Sequence, residues 1–370
     1  MSDRQKIAIL GASFLQRDLI QCAKSMGLET HVFAWQEGNV VRDLADFCYD
    51  ISLRDAQSIL EVCKARRIDA IVTSSSDVGV PAAALVAQEL KLVGPTIACA
   101  EAATHKGQMR KLLAAGGCST PRFYVASSMP EKSIFPYPFL VKASDRSGSR
   151  GVRIVGDAIE FAEAFSEAKK VSFSGDVVVE EMMNGRQFSL EMASFKGSHY
   201  LVAITEEFLD QEALCEKGDL VPARLTAQEI DSLFKEGSKG LAAINFSNGI
   251  SHTEVFWDGE RARIIEVGIR TGGDFRNRLV KEAMGINLDR VAIEIALNRD
   301  PSEFLKPKKS GSALISWAFD ENDEIALGAK GYTKVNVMMN RPSSSNERLG
   351  FSILTEESDI VLEMKRNRWE

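Results

Sequence analysis

One predicted hairpin constrains this chain more than any other feature. Residues 252–273 read His252-Thr-Glu-Val-Phe-Trp-Asp-Gly-Glu-Arg-Ala-Arg-Ile-Ile-Glu-Val-Gly-Ile-Arg-Thr-Gly-Gly273, two β-rich runs joined at Asp258-Gly259. Glu254 lies on the first run and Glu266 on the second; Arg270 and a Gly272-Gly273 loop follow directly. Strand parity decides whether the two acids meet. A strict two-residue loop pairs Glu254 with Arg263 and turns the acids to opposite faces. A three-residue loop, Asp258-Gly259-Glu260 with Gly259 left-handed in a bulge, pairs Glu254 with Ile264 instead. Glu266 then becomes its diagonal neighbour on the same face, roughly 7–8 Å away. Carboxylates at that reach can share one or two ions, and magnesium favours a few carboxylates completed by phosphate oxygens. The plainer reading is an ordinary hairpin with solvated acids.

Two further stretches carry chemistry. Residues 138–155, Pro-Phe-Leu-Val-Lys-Ala-Ser-Asp-Arg-Ser-Gly-Ser-Arg-Gly-Val-Arg-Ile-Val, place Lys142 near the end of an apolar strand. A turn rich in serine and glycine follows (Ser147, Gly148, Ser149, Gly151), then a returning strand. Backbone N–H groups in such a turn can converge on phosphate oxygens, and a nearby lysine supplies a mobile charge. The turn lacks the Gly-Lys-Ser/Thr ending of a Walker loop. Farther on, Val177-Val-Val-Glu-Glu-Met-Met-Asn-Gly-Arg-Gln-Phe-Ser-Leu-Glu-Met192 reads as a buried strand ending at Glu180-Glu181. The chain then crosses Met182-Met183, turns at Asn184-Gly185 and resumes as a strand. Apolar residues beside exposed backbone edges suit a flat base such as adenine; the plainer reading is a core strand entering a hairpin.

In this order and spacing the motifs resemble the ATP-grasp superfamily of carboxylate–amine ligases, including amino-acid ligases and the carbamoyl-phosphate-synthase large subunit. The resemblance runs over about residues 1–300 and takes in His105-Lys-Gly-Gln-Met-Arg-Lys-Leu-Leu-Ala-Ala-Gly-Gly-Cys-Ser-Thr-Pro121, which looks like the family's lysine helix and Gly-x-x-Thr-Pro turn. It implies ATP with Mg2+, or Mn2+ in its place. Lys106 and Lys142 would contact the nucleotide phosphates, and the loop of Ser147, Gly148, Ser149 and Gly151 would close over them. Glu180, Glu181, Met182 and Met183 would hold adenine, with Gln187 at the ribose. Glu254 and Glu266 would bind the metal, and Arg270, with Lys142, would act on the transferred phosphate or the substrate carboxylate. The chain departs from the family pattern twice. Glu266-Val-Gly268-Ile-Arg270 has glycine where Glu-x-Asn-x-Arg is common, which puts a second metal ion in doubt. Gln187 stands where an acid often meets the ribose.

Composition narrows the remaining classes. At 370 residues the chain exceeds one hydrophobic core, and 45% apolar residues are ordinary for a globular protein. A net charge of −7 disfavours nucleic acid as main partner, and no apolar run reaches membrane-spanning length. Six scattered cysteines without a C-x-x-C pair read as reduced thiols, and the N-terminus shows no signal-peptide pattern, so a cytoplasmic protein is expected. The four histidines form no zinc-type spacing.

Along the chain, strand and helix alternate over the first ninety residues: strands at 7–10, 30–34 and 70–73, helices at 14–27, 55–67 and from Pro81 to about Leu90. This is a doubly wound α/β unit. Gly11-Ala-Ser-Phe-Leu-Gln16 keeps only the first glycine of a dinucleotide fingerprint, which argues against NAD. Asp77, after the third strand, is either a ligand contact or a helix cap. The expected fold is therefore α/β: an ATP-grasp fold with an N-terminal pre-ATP-grasp domain (1–95), an ATP-grasp domain (96–310, α+β lid about 120–182) and a β-rich C-terminal segment (311–370). Val280–Asn298 is expected as one closing helix, and strands are expected at 313–318, 333–338 and 360–364.

The implied activity is ATP-dependent. A carboxylate would be activated as an acyl phosphate and joined to an amine, with release of ADP and phosphate. Small-molecule carboxylate and amine substrates are the expected partners, without nucleic acid or membrane; a homodimer is a family-level expectation. Alternatives are a ligase using another nucleophile, or a catalytically weak nucleotide sensor. Arg276 and Arg278 hint at an anionic substrate; the identities of both substrates are not encoded in any motif.

Overall fold

The computed structural model describes residues 4–37, 39–132, 135–146, 148, 150–210, 215–328, 333–334 and 348–369. The first unit carries β1 (Lys6–Leu10), α1 (Arg17–Ser25), β2 (Glu29–Ala34), β3 (Phe47–Asp50), α2 (Ala56–Arg66), β4 (Ala70–Thr73) and α3 (Val80–Leu90). Its strands form a parallel sheet in the order β3-β2-β1-β4. Strand β1 is almost wholly apolar because helices cover both of its faces. Strand β3 is an addition to the sequence reading; its four residues alternate too weakly to signal a strand. The helix expected over 14–27 begins as a short 3-10 turn at Phe14–Gln16, capped by Ser13.

Helices α4 (Ile97–Thr104) and α5 (Lys106–Ala115) lead into a second, antiparallel sheet. This is built from β5 (Phe123–Ala126), β6 (Phe139–Ala143), β7 (Val152–Val155) and β8 (Val177–Glu181), in the order β5-β8-β6-β7. Helix α6 (Ala158–Val171), capped by Asp157, packs on it through Phe161, Phe165 and Ala168.

The third sheet is the largest, in the order β13-β12-β9-β10-β11-β14-β16-β15. Its members are β9 (Arg186–Phe195), β10 (Ser198–Asp210), β11 (Cys215–Val221), β12 (Gly249–Trp257), β13 (Ala262–Gly268), β14 (Ala313–Ala318), β15 (Thr333–Lys334) and β16 (Gly350–Leu354). Helix α7 (Ala227–Ala243), with α4 and α5, covers one face, where Leu190, Val255 and Ile264 are buried. The opposite face changes character along its strands. Ala193 and Ile250 lie beneath α8 (Arg276–Met284) and α9 (Leu288–Ala296), while farther along the same face the residues become Glu191, His252, Ser189, Glu254 and Gln187. One end of this face is therefore core and the other a polar floor.

Two expectations are corrected. The single helix over Val280–Asn298 is two helices, because Gly285 is left-handed (φ 71°) and its N–H closes α8. Residues 360–364 are not a strand but part of α11 (Glu357–Asn367), which follows α10 (Glu321–Gly328) in the chain. Ile360 and Met364, one turn apart, bury against Leu314 and Leu354, and acids at the start with bases at the end suit the helix dipole. The 313–318 strand joins the large sheet through β11 and β16. Of the strand expected at 333–338, Thr333-Lys334 is paired with β16; the remainder lies outside the described residues.

Passage from β8 to β9 depends on Gly185, with φ 137°, where a Cβ would lie 2.2 Å from the Trp257 carbonyl oxygen. Gly185→Ala should therefore destabilise the protein by roughly 2–4 kcal/mol in denaturant unfolding. A loss within about 0.5 kcal/mol of zero would show that the close approach is not required.

Candidate active site

The two acids of the 252–273 hairpin do share a face, by a different route from the one expected. The loop is one residue longer: Trp257 pairs with Ala262, and the Asp258 carboxylate accepts hydrogen bonds from the N–H groups of Glu260 and Arg261, both 3.0 Å. Gly259 is left-handed as expected (φ 101°). A bulge at Ile265 then restores the parity, so Glu254 stands directly opposite Glu266 rather than diagonal to it. The bulge has its own partner: Arg110 donates to the carbonyls of Ile264 (3.3 Å) and Ile265 (2.5 Å).

The lysines approach this hairpin from two sides. Lys106, at the start of α5, has its Nζ 2.7 Å from Glu266 Oε1. Burial alone would lower the Lys106 pKa, but Glu266 and Asp77 hold it above the usual lysine value. The start of α5 is itself fastened to the end of β6: Lys106 N donates to the Ser144 carbonyl (2.6 Å) and Gly107 N to the Ser144 hydroxyl (3.1 Å). Lys142, on β6, lies 2.7 Å from Glu180 Oε2. Arg110 takes the other oxygen of Glu180 at 2.5 Å. Burial would raise the Glu180 pKa; the two cations instead carry it down to about 2.

Thus the Glu180 carboxylate is occupied by Arg110 and Lys142, and Glu181 binds Arg122 through both side-chain oxygens (2.8 and 2.7 Å). What remains open at this crossing is main chain. Met182 and Met183 make no backbone hydrogen bond to described residues, and Met183 is buried. Gln187 donates to Glu207 at 2.5 Å. Of the glycine-rich turn, Gly148 and Gly151 are left-handed (φ 65° and 72°), and a Cβ at Gly151 would stand 2.7 Å from Val171. Ser147 and Ser149 lie outside the described residues.

Arg270 reaches into the same region and meets Asp77 of the first unit. Its Nε and one terminal nitrogen donate to the two Asp77 oxygens at 2.9 and 3.1 Å, and the other terminal nitrogen donates to the Thr271 carbonyl at 3.1 Å. Asp77 is therefore a partner of Arg270 rather than a helix cap. Burial would raise its pKa, yet Arg270 and Lys106 keep it below the usual carboxylate value. Gly268 now has a physical role: a Cβ there would lie 3.3 Å from the Arg270 guanidinium carbon, so the guanidinium packs closely against the glycine. Beside it, His252 Nδ1 lies 2.5 Å from Glu191, and its Nε2 is 3.5 Å from Glu254. Burial would lower the His252 pKa, but Glu191 carries it up to about 10, so the ring is an imidazolium at neutral pH. Gly272 permits this pair, since a Cβ there would come 2.6 Å from Glu191 and 2.8 Å from the His252 ring.

Sequence reasoning missed Arg110, His252 and Glu191 as site residues. His252 and Glu191 could have been found by extending the strand-face argument from Glu254, since both share its face. Among the described residues no group of three or more His, Cys, Asp or Glu side chains is arranged to enclose a metal ion. A two-carboxylate site completed by phosphate oxygens is the kind magnesium accepts, so Glu254 and Glu266 fit that ion.

Two outcomes test this geometry. Arg110→Met should cost about 3–5 kcal/mol in unfolding, because it leaves buried Glu180 short of a counter-ion; a loss below about 1 kcal/mol would sink the assignment. His252 should show no ring titration near pH 6.5 by NMR. Because its pKa is raised on folding, its contribution to stability is complete below pH 6.5 and is lost as pH climbs through about 10.

Comparison with known proteins bears on the domain type and the fold. Residues 135–277 match the family model of the ATP-grasp domain. A D-alanine–D-alanine ligase of Flavobacterium psychrophilum is 27% identical over 184 residues, covering 46% of this chain and 55% of that protein. A carbamoyl phosphate synthase large chain of Corynebacterium glutamicum is 26% identical over 215 residues, covering 56% of this chain and 19% of that one. The chain thus spans about half, or less, of the length of the curated relatives it matches. In fold, an L-amino acid ligase from Bacillus licheniformis superposes with a TM-score of 0.83 at 20% identity, covering 99% of this chain and 97% of that one. Among the described residues no helix is long and apolar enough to cross a membrane. Residues 135–277 thus match the ATP-grasp domain, and the fold of the whole chain is similar to that of an ATP-grasp-type amino-acid ligase structure.

Proposed function

We propose that the protein is an ATP-dependent ligase that activates a small-molecule carboxylate as an acyl phosphate and joins it to an amine, releasing ADP and phosphate. The observation that carries this reading is the direct opposition of Glu254 and Glu266 on one sheet face, with Lys106 and Arg270 beside them and Lys142 held on Glu180. A relative of this chain is named as a ligase of D-alanine, and a fold neighbour as a ligase of L-amino acids.

The chemistry follows from charge. A carboxylate resists attack by an amine until one of its oxygens becomes a leaving group. Moving a phosphoryl group onto it brings negative oxygens together, so the cost of the step is electrostatic. Glu254 and Glu266 would hold magnesium, which neutralises charge on the phosphate oxygens. Lys106 would exchange Glu266 for phosphate, and Lys142 would exchange Glu180; each is held by its acid until the nucleotide arrives. The main chain at Met182 and Met183 would read the base. Arg270 would meet the transferred phosphate, held against Gly268 by Asp77. Gly148 and Gly151 allow the turn above the phosphates to approach closely and exclude water from the acyl phosphate.

The test is phosphate release from Mg-ATP across pooled small carboxylates and amines, with Lys142→Ala as blank. Release should require one acid and one amine together. Glu266→Ala should lower turnover by about 100-fold or more while changing nucleotide affinity far less. Tight nucleotide binding without release from any pool would overturn the ligase reading in favour of a nucleotide sensor.

A further inference from the structure

Two arginines that the sequence offers to an anion are already engaged: Arg276 by Glu207 and Asp219, and Arg278 by Asp18. Two others meet on an aromatic ring instead. The guanidinium carbon of Arg54 lies 4.0 Å from the centroid of the Phe173 ring, and that of Arg146 lies 3.8 Å from it. Both distances are well inside the roughly 6 Å at which a ring attracts a cation. Two guanidinium groups so close to one centroid would overlap on a single face, so they take opposite faces of the ring. Each face carries the negative part of the ring quadrupole, which lets one phenylalanine hold two cations. Phe173 is 55% exposed, so core packing does not set its place.

The three residues come from separate parts of the fold. Arg54 precedes α2 of the first unit, Arg146 follows β6 at the base of the glycine-rich turn, and Phe173 lies between α6 and β8. The main chain around the ring grips that turn. The Asp145 carboxylate accepts hydrogen bonds from the N–H groups of Phe173 (2.8 Å) and Ser174 (2.7 Å). Arg146 Nε donates to the Val171 carbonyl at 2.5 Å, and Ser144 N to the Asp176 carbonyl at 3.1 Å. At the other end of the turn, Gly151 packs on Val171 and Ala168 of the same stretch. Residues 171–176 therefore frame the turn, and Arg54 is the first unit's hold on the frame.

The first unit also holds Arg270. Arg54 follows β3 and Asp77 follows β4, and these strands are the two edges of the parallel sheet. Both residues lie just past the carboxyl ends of their strands, the side on which open parallel sheets face their ligands. One sheet thus fixes Arg270 through Asp77 and the glycine-rich turn through Phe173. A turn rich in glycine loses much conformational freedom when it is ordered over a ligand. A frame held in place beforehand lessens that loss, which is how preorganisation raises affinity.

We propose that Arg54 and Phe173 are positioning residues. Clamped between Arg54 of the first unit and Arg146 at the base of the turn, the Phe173 ring holds the glycine-rich turn over the nucleotide phosphates and ties its placing to the unit that supplies Asp77. Neither side chain touches the nucleotide; Arg54 acts only through the ring, and the ring only through the turn. The proposal rests on the nucleotide reading for what the turn covers, whereas the clamp itself is independent of it.

Two measurements on the full chain test it: calorimetric binding of Mg-ADP, and the rate at which trypsin cuts after Arg146 in the ligand-free protein, read by mass spectrometry. Arg54 and Phe173 are both exposed, so their substitution leaves the core intact. Phe173→Leu keeps apolar bulk but removes the ring, and should weaken Mg-ADP about 5- to 20-fold, while Phe173→Tyr, which keeps the ring, should stay within about twofold. Arg54→Ala should weaken it about two- to fivefold. Added to Phe173→Leu, Arg54→Ala should cost nothing further, since the two act as one unit. Cleavage after Arg146 should speed up about threefold or more in Phe173→Leu. Equal Mg-ADP affinity for Phe173→Leu and Phe173→Tyr, or losses that add in the double variant, would overturn the inference. If the unaltered chain does not bind Mg-ADP, the nucleotide reading fails instead; the trypsin rate then decides the clamp, and a rate unchanged in Phe173→Leu overturns that as well.

Discussion

The buried pair of Arg110 and Glu180 is the contact on which the rest of this site depends. Arg110 belongs to α5, Glu180 to strand β8 of the small antiparallel sheet, and the carbonyls of Ile264 and Ile265 to the edge of the large one. One guanidinium therefore joins three elements that chain connectivity alone would leave free to move. Arginine suits the task because its planar fork offers several donors in fixed directions and never loses its charge. The bulge at Ile265 is part of the same construction, since the carbonyls it turns outward are the ones Arg110 binds. That bulge also sets Glu254 opposite Glu266. Pull Arg110 away, and the hairpin loses the contact that shapes its register.

Charge is graded across the site. Cations (Lys106, Lys142, Arg270 and protonated His252) gather at the end where the polyphosphate is proposed to lie, each held by a carboxylate. Three strands away Arg276 is shared by Glu207 and Asp219, and Arg348 by Glu216 and Asp274.

How much of this was legible in the sequence follows from what each signal depends on. The parallel N-terminal sheet was legible because Ile7–Leu10, Thr30–Ala34 and Ala70–Thr73 are buried on both faces and read as apolar runs. The shared face of Glu254 and Glu266 was legible from parity, yet the loop length and bulge were not, because an added loop residue and a bulge offset one another in parity. Strand 360–364 was misread because Ile360-Val361-Leu362 favours a strand locally; the burial of Ile360 and Met364 one turn apart decided otherwise. Arg110 was hidden for a different reason. Its partners are 70 and 154 residues away, and nothing in a surface-like Met-Arg-Lys run announces a buried arginine. Asp77 and Arg270, 193 residues apart, were each visible as candidates but not as a pair.

That last pair bears on why the first unit is present. Its parallel sheet ends at Thr73, and the following segment turns sharply: Ser75 is left-handed (φ 54°), its N–H donates to the Thr271 carbonyl and its hydroxyl to the Gly272 carbonyl. Gln16 holds the same segment by donating to the Ser74 carbonyl. Asp77 is thereby presented to Arg270 with little freedom to retreat. A lone arginine over a glycine would swing through many rotamers, and ordering it during reaction would cost entropy. Fixed by Asp77 on one side and Thr271 on the other, it is already oriented, and the unit that supplies Asp77 becomes part of the proposed active site rather than an appendage to it. The glycine at 268 fits this account as well: a Cβ there would stand 3.3 Å from the guanidinium carbon and press it out of its present position. What first looks like a missing ligand is the room that lets Arg270 be held.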